Sequence, residues 1–309
     1  MSVWVHPAQG NMRSLDRDVT TEQALKGLVH GWKAGLCALA ALLLFGCAER
    51  EGAASEAPER AMRIVSMDYC ADQFVLKLVD KERIRAVSQD AQRDFSYMRA
   101  AAEGLPQVRS TAEDVLALEP DLIVRSYGGG PGAAAFLRRA GVPVLSVNMG
   151  AATSIEGIKR VILEMADGLG EPERGKAVVA QMDARLAALP TSKDVPEALY
   201  MTPSGVTSGP GSLMHEMLVE AGLTNYQAQK GWRSLPLETL AQRQPDMIAA
   251  AFFAPKTNHK SGWSPTRHPV ARAQLADRPT VYLDGAWTSC AGWYLLDAIE
   301  ALAQSKANS

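Results

Sequence analysis

Several groupings in this chain have residue types that could do chemistry. Ser212 precedes His215 by one helical turn, and Ser289 is followed by Cys290. Both pairs contain a nucleophile, but neither sits in a G-x-S-x-G context, and nearness along the chain does not make a triad. The run Gly128-Gly129-Gly130-Pro131-Gly132-Ala133 fits G-x-G-x-x-A, the pattern that lets a backbone approach a pyrophosphate. A dinucleotide fold would carry it after the first strand, with an acidic residue ending the next strand, where this chain has Asn148. A nucleotide-dependent enzyme using the Gly128–Gly130 loop is therefore the competing reading. Beyond residue 46 the histidines are His215, His259 and His268, too few for a free zinc or manganese site. No catalytic residue, no metal and no cofactor is expected. What remains suits recognition. Arg125 ends an apolar strand, where a fixed cation would suit a carboxylate, a phosphate or an anionic chelate, or else would form a structural ion pair. Tyr69, Tyr97, Tyr127, Trp232, Phe253, Trp263 and Trp287 fall in or near connections, where rings could stack on a flat or greasy ligand or pack between loops.

The elements that must position these residues announce themselves by a repeat. Glu113-Asp114-Val115 leads into Glu119-Pro120-Asp121-Leu122-Ile123-Val124, and 125 residues later Glu238-Thr239-Leu240 leads into Gln244-Pro245-Asp246-Met247-Ile248-Ala249. A period that long is not a solenoid unit, so it marks two related lobes. Each copy reads as a short helix that stops before proline and turns into a buried strand, because proline disfavours helical geometry in the residue before it. Thr111 and Asp114 form a capping pair that fixes the start of the first copy.

Strands are expected at 63–67, 84–88, 122–125 and 142–147 in the first lobe, and at 198–201, 247–249 and 281–283 in the second. Helices are expected at 70–79, from 131 to 140, at 213–221 and at 293–303. The stretch 153–189 shows apolar residues at helical spacing and breaks at Gly168–Pro172, giving two helices, the second a connector. Alternating strands and helices imply α/β architecture: two Rossmann-like lobes with mostly parallel sheets, joined by a long helix, with a cleft between them. Residues 252–269 read as a long irregular segment.

With 32 basic and 34 acidic residues, the chain has no electrostatic footprint for nucleic acid. Residues 34–46 are uncharged and apolar, preceded by Lys26, His30 and Lys33, which is the layout of a signal peptide over 1–46, and too short for a membrane span. Residues before Leu28 fit no part of such a signal and suggest a start assigned too early. A polar tether follows at 47–62, then a lobe at 63–152, connecting helices at 153–190 and a second lobe at 191–309. Cys70 and Cys290 are the cysteines of the folded body, and in an oxidising compartment they either bridge or stay buried as thiols.

An export signal, two α/β lobes, a helical connector and the paired Glu…Pro-Asp-(Leu/Met)-Ile segments together resemble the substrate-binding proteins of ABC importers, in the class serving ferric siderophores, cobalamin and haem. The resemblance spans about residues 63–304. It implies a periplasmic, monomeric protein that captures an iron chelate, cobalamin or haem in the cleft and delivers it to an ABC permease dimer in the inner membrane. Leu44-Phe45-Gly46-Cys47 resembles a lipobox, which would make Cys47 the lipidated first residue and the protein a membrane-anchored lipoprotein. In that family an acidic residue on each lobe docks onto permease arginines. The matching positions are Glu113 and Glu238. The ligand-binding set implied by the cleft is Tyr69, Tyr97, Arg125, Tyr127, Gly128, Gly129, Trp232, Phe253, Trp263 and Trp287.

Overall fold

The computed structural model describes residues 63–191, 193–251 and 267–307. The signal segment, Cys47, the tether, Phe253, His259 and Trp263 lie outside the described residues.

The first sheet has five parallel strands: β1 (Ile64–Ser66), β2 (Ile84–Ser88), β3 (Gln107–Val108), β4 (Leu122–Arg125) and β5 (Val144–Ser146), in the order β3-β2-β1-β4-β5. The helices of this half are α1 (Tyr69–Leu78), α2 (Ala112–Leu116) and α3 (Ala133–Arg139). Two helices follow, α4 (Ile155–Gly168) and α5 (Pro172–Ala187). Ser154 caps α4 by accepting the Gly157 amide, and Pro172 opens α5, where a missing N–H costs nothing. The second half carries β6 (Glu197–Met201), β7 (Val206–Ser208), α6 (Leu213–Glu220), β8 (Thr224–Asn225), β9 (Trp232–Ser234), α7 (Leu237–Gln242), β10 (Met247–Ala251), α8 (Pro269–Asp277), β11 (Thr280–Leu283), α9 (Gly285–Thr288) and α10 (Leu295–Ala307). Its main sheet runs β11-β10-β6-β8, all parallel, while β7 and β9 form a separate antiparallel pair.

The two sheets share one topology, since β8-β6-β10-β11 repeats β2-β1-β4-β5. The repeated motif shows why. In the first lobe, Asp121 accepts the Arg63 amide at 2.9 Å through its carboxylate, and its own N–H donates to the Arg63 carbonyl at 3.0 Å. In the second lobe, Asp246 accepts the Glu197 amide at 2.7 Å and donates to the Glu197 carbonyl at 2.9 Å. The aspartate of each Pro-Asp pair thus closes the hydrogen-bond ladder at the end where two central strands enter the sheet, and so sets their register. In the first copy the turn before proline is made by Glu119 at φ 49°, a left-handed conformation.

One continuous core includes α1, α4, α5, α6 and α10, with Phe74, Ile158, Ile162, Met165, Met182, Met217 and Ile299 all buried. Helix α4 packs against both α1 and α6; α5 packs against α10 and reaches the first half through Arg174, which donates to the Leu78 carbonyl at 3.1 Å, so both helices touch the two halves. Arg185 of α5 donates to Asp297 at 2.6 Å and to Glu300 at 2.7 Å on α10. Several elements are shorter than, or absent from, the sequence expectation. β5 covers three residues of the expected 142–147, and α10 starts two residues later than expected. The two- and three-residue strands β3, β7, β8 and β9 are too brief to show a period of two. Helix α8 sits where the sequence shows little amphipathic pattern.

Candidate functional site

The connection after β4 is built around a buried carboxylate. Asp68 follows β1 and is 2% exposed. Its Oδ1 accepts the Ala71 amide at 3.0 Å and so caps α1, while its Oδ2 accepts the amides of Ser126, Tyr127 and Gly128 at 2.7, 3.1 and 2.8 Å. Four backbone donors on one carboxylate fix two loops against each other. From the opposite side, Arg125 Nε donates to the Gly128 carbonyl at 2.8 Å and Nη2 to the Gly130 carbonyl at 3.0 Å. At 8% exposure, its guanidinium is committed to shaping the loop.

The glycines of that loop have packing reasons. A Cβ at Gly128 would lie 2.8 Å from both Cβ and the carbonyl oxygen of Met67 and 3.0 Å from the Asp68 carboxylate. Gly129 has φ +75°, and a Cβ there would meet Ala133 Cβ at 2.7 Å. Close approach to β1 and a left-handed turn account for this pair without a nucleotide.

The locked loop presents Tyr127, which is 52% exposed. Its ring lies 5.9 Å edge-on from Tyr69, and Tyr69 lies 4.8 Å from Phe95. Burial pushes both phenols above their ordinary value, and the charge of Asp68 adds to this. Tyr97 stands elsewhere. It stacks on Tyr294 at 4.7 Å, and burial together with a hydrogen bond to Asp297 pushes its phenol up to about 12. Tyr97 therefore belongs to the packing between the halves. In the second half, Trp232 on β9 is 57% exposed, with its ring centroid 6.1 Å from that of buried Tyr200. Trp287 is half-buried against the core in α9.

The halves are tied beside these rings. Cys70 and Cys290 form a disulfide with a Cα–Cα distance of 5.6 Å. Ser289 Oγ donates to the Phe95 carbonyl at 2.8 Å, and Trp293 meets Phe74 edge-on at 5.8 Å. These contacts also account for Ser289 and Cys290. Ser212 Oγ accepts the His215 backbone amide at 3.2 Å as the cap of α6, while the imidazole Nδ1 lies 3.2 Å from Asn225. That geometry is a helix cap with no nucleophile–base contact. His268 caps α8 in the same way. Among the described residues no group of three or more His, Cys, Asp or Glu side chains could hold a metal ion.

The sequence did not single out Asp68 as an anchor or Gln73 as a brace. Gln73 is buried; its Oε1 accepts the Met98 amide at 2.8 Å and its Nε2 donates to Ser96 at 3.0 Å, which holds the segment carrying Tyr97. An Asp immediately before a helix is a readable cap signal, but its second role depends on β1 lying beside β4. Glu113 on α2 and Glu238 on α7 are both exposed, and neither side chain makes an ion pair or hydrogen bond among the described residues.

Residues 64–256 match the family model described as a periplasmic binding protein. Comparison with the curated proteins finds no sequence match. Among solved structures, the haem-binding protein RhuT from Roseiflexus sp. RS-1, in its apo form, is 22% identical over 80% of this chain and 98% of its own, with a TM-score of 0.61. The haem-binding protein HutB of Vibrio cholerae is 21% identical over 79% of this chain and 98% of its own, with a TM-score of 0.63. The vitamin B12-binding protein BtuF of Vibrio cholerae is 18% identical over 81% and 98%, with a TM-score of 0.55. At these identities the likeness establishes the fold.

Proposed function

The chain belongs to the periplasmic binding protein family of ABC-importer substrate-binding proteins, and from that premise we propose that it captures a flat metal macrocycle, of the haem or cobalamin type, between Tyr127 of one lobe and Trp232 of the other. The observation that carries this reading is the pair of exposed rings, Tyr127 in the loop after β4 and Trp232 on β9, each with a second aromatic beside it. Arg125 holds loop carbonyls, so the described rings offer faces rather than a free cation, and faces suit a macrocycle better than a polyanionic ferric siderophore. Relatives named for haem and for vitamin B12 support the same class.

Tyr69 backs Tyr127, Gly128 and Gly129 let the loop lie flat against β1, and Phe253, Trp263 and Trp287 are the further rings assigned to the cleft. Glu113 and Glu238 meet permease arginines, one from each lobe. The disulfide and the α5–α10 ion pairs keep the lobes nearly fixed, so delivery uses little hinge motion. Cys47 carries a lipid anchor, and the protein works as a monomer in the periplasm. The test is a titration of purified protein, from Cys47 onward, with haemin, cyanocobalamin, a ferric siderophore and a pyridine nucleotide, read by absorbance and tryptophan quenching. Saturable one-to-one binding of a macrocycle supports the reading. Binding of the siderophore alone replaces the ligand class, and binding of a pyridine nucleotide alone revives the enzyme reading of the glycine loop.

A further inference from the structure

A pocket of about 330 Å³ opens beside α7, the helix that carries Glu238. Tyr226 and Gln227 line it together with Arg233, Ser234, Thr239 and Arg243, and none of its lining residues is acidic. Arg243 forms a wall: it pairs with Glu197, and its guanidinium carbon lies 4.3 Å from the centroid of the Tyr226 ring, whose hydroxyl donates to the Arg243 carbonyl at 2.6 Å. Arg233 is exposed and uses only Nε, donating to the Lys230 carbonyl at 3.2 Å, which leaves both Nη groups without a partner among the described residues. Gln227 is 7% exposed, and its Oε1 accepts the Gln229 amide at 2.9 Å; its Nε2 has no partner among the described residues. A two-pronged guanidinium with an unused carboxamide N–H nearby is the donor set for a carboxylate.

The first lobe shows what closes such a site. There Arg109 Nη2 donates to Asp114 Oδ1 at 2.9 Å, immediately beside Glu113. The residue 125 positions on from Asp114 is Thr239, which cannot neutralise Arg233. By the same offset Arg109 corresponds to Ser234, the neighbour of Arg233, so the carboxylate that pairs with an arginine beside Glu113 has no counterpart beside Glu238.

We infer that this pocket takes an acidic side chain of the permease, giving the second lobe a reciprocal contact: Glu238 to a permease arginine, and Arg233 to a permease carboxylate. The inference rests on the docking role proposed for Glu238. A free carboxylate would gain little from one solvent-exposed arginine, because such ion pairs are weak in water. A carboxylate on the same surface that already engages Glu238 arrives at high effective concentration, and the pocket edge at Thr239 is the very next residue.

The test measures affinity of the ligand-loaded protein for its permease dimer in lipid nanodiscs. Arg233→Glu is expected to weaken docking at least tenfold, and reversing one acidic periplasmic residue of the permease to arginine is expected to restore it within threefold. Arg109→Glu is expected to change it less than twofold. Each variant is first shown to keep the wild-type melting temperature and ligand affinity, so that a docking loss is not a folding loss. Arg233→Glu docking within twofold of wild type, while Glu238→Arg is lost, overturns the pocket and keeps the docking glutamates. Wild-type docking by both Glu113→Arg and Glu238→Arg removes the premise itself, a result that cannot be confused with the first.

Discussion

In the first lobe Asp68, Asp72, Arg83 and Arg125 are all buried, whereas among the described residues of the second lobe the buried polar side chains are Thr202, Thr207, Ser208, Ser212, Asn225, Gln227 and Gln274, every one of them neutral. The strand order is the same, and the aspartates that close the ladders are equivalent. The divergence lies at the other ends of the strands. After β1 the chain enters α1 at once, and Asp68 gathers four amides from two loops. After β6 the chain makes a tight turn into β7 first, and Thr202, at the place corresponding to Asp68, bonds within that turn, to the Val206 backbone and to Ser204. Duplicated lobes therefore keep the chemistry that sets register and vary the chemistry that shapes the cleft. The first lobe presents a loop fixed by charge. The second presents a ring on a short two-stranded ribbon.

The sharpest way to break this contrast is Asp68→Ala. It strands four amides, three of them in the loop that Arg125 also holds, so a loss of about 3–5 kcal/mol in denaturant unfolding is expected. Thr202→Val should cost only about 1 kcal/mol, since a single neutral turn is lost. Equal losses would mean that the two lobes use the same device. Next in size is the covalent tie between them. Replacing Cys70 and Cys290 together by serine should cost about 2–4 kcal/mol, measured by thermal unfolding with and without reductant on the parent protein.

Asp72 carries the pH dependence, and it belongs to the first lobe alone. Burial raises its carboxyl from 3.8 to about 7, despite hydrogen bonds from Ser66 and Ser88 that oppose the rise. Between about pH 4 and 7 the folded chain holds a proton that the unfolded chain releases. The stability this contributes is full below about pH 4 and is lost as pH rises through 7, with a slope of up to about 1.4 kcal/mol per pH unit. Asp72→Asn should flatten that slope, as followed by urea unfolding at several pH values. A slope unchanged by the substitution would place the titrating group elsewhere.

Gly128→Ala forces a methyl against Met67 and should cost about 1–3 kcal/mol while displacing Tyr127 and weakening ligand binding. The smallest expected effects come from the shared motif. Asp121→Ala and Asp246→Ala should each cost about 1 kcal/mol, and by similar amounts, because each removes the same strand-closing contact. A large inequality in their unfolding energies would show that the repeat is not energetically equivalent.

The α/β architecture was legible because Pro120-Asp121 and Pro245-Asp246 sit at fixed offsets from helix and strand, and because apolar triplets followed them. The roles of Asp121 and Asp246 as ladder closers were not legible, since each bonds a strand that lies 58 or 49 residues away. Similarly, Tyr69 and Tyr127 could be picked out as connection aromatics, but their mutual contact depends on β1 lying next to β4. Arg125 was read as a cation at the cleft mouth. The glycine loop it organises begins three residues later in the sequence, but its hydrogen bonds depend on the left-handed turns at Gly129 and Gly130. Tyr97 looked like its neighbours in sequence and went to the interface between the lobes instead.

The central claim is that one ligand is held between Tyr127 and Trp232, and the most direct measurement is a haemin and cyanocobalamin titration of wild type, Tyr127→Ala and Trp232→Ala. The account predicts one-to-one binding of a macrocycle by the wild type and at least a tenfold loss in each variant, with melting temperatures unchanged. Wild-type affinity in both variants, or no binding of either macrocycle, would contradict it.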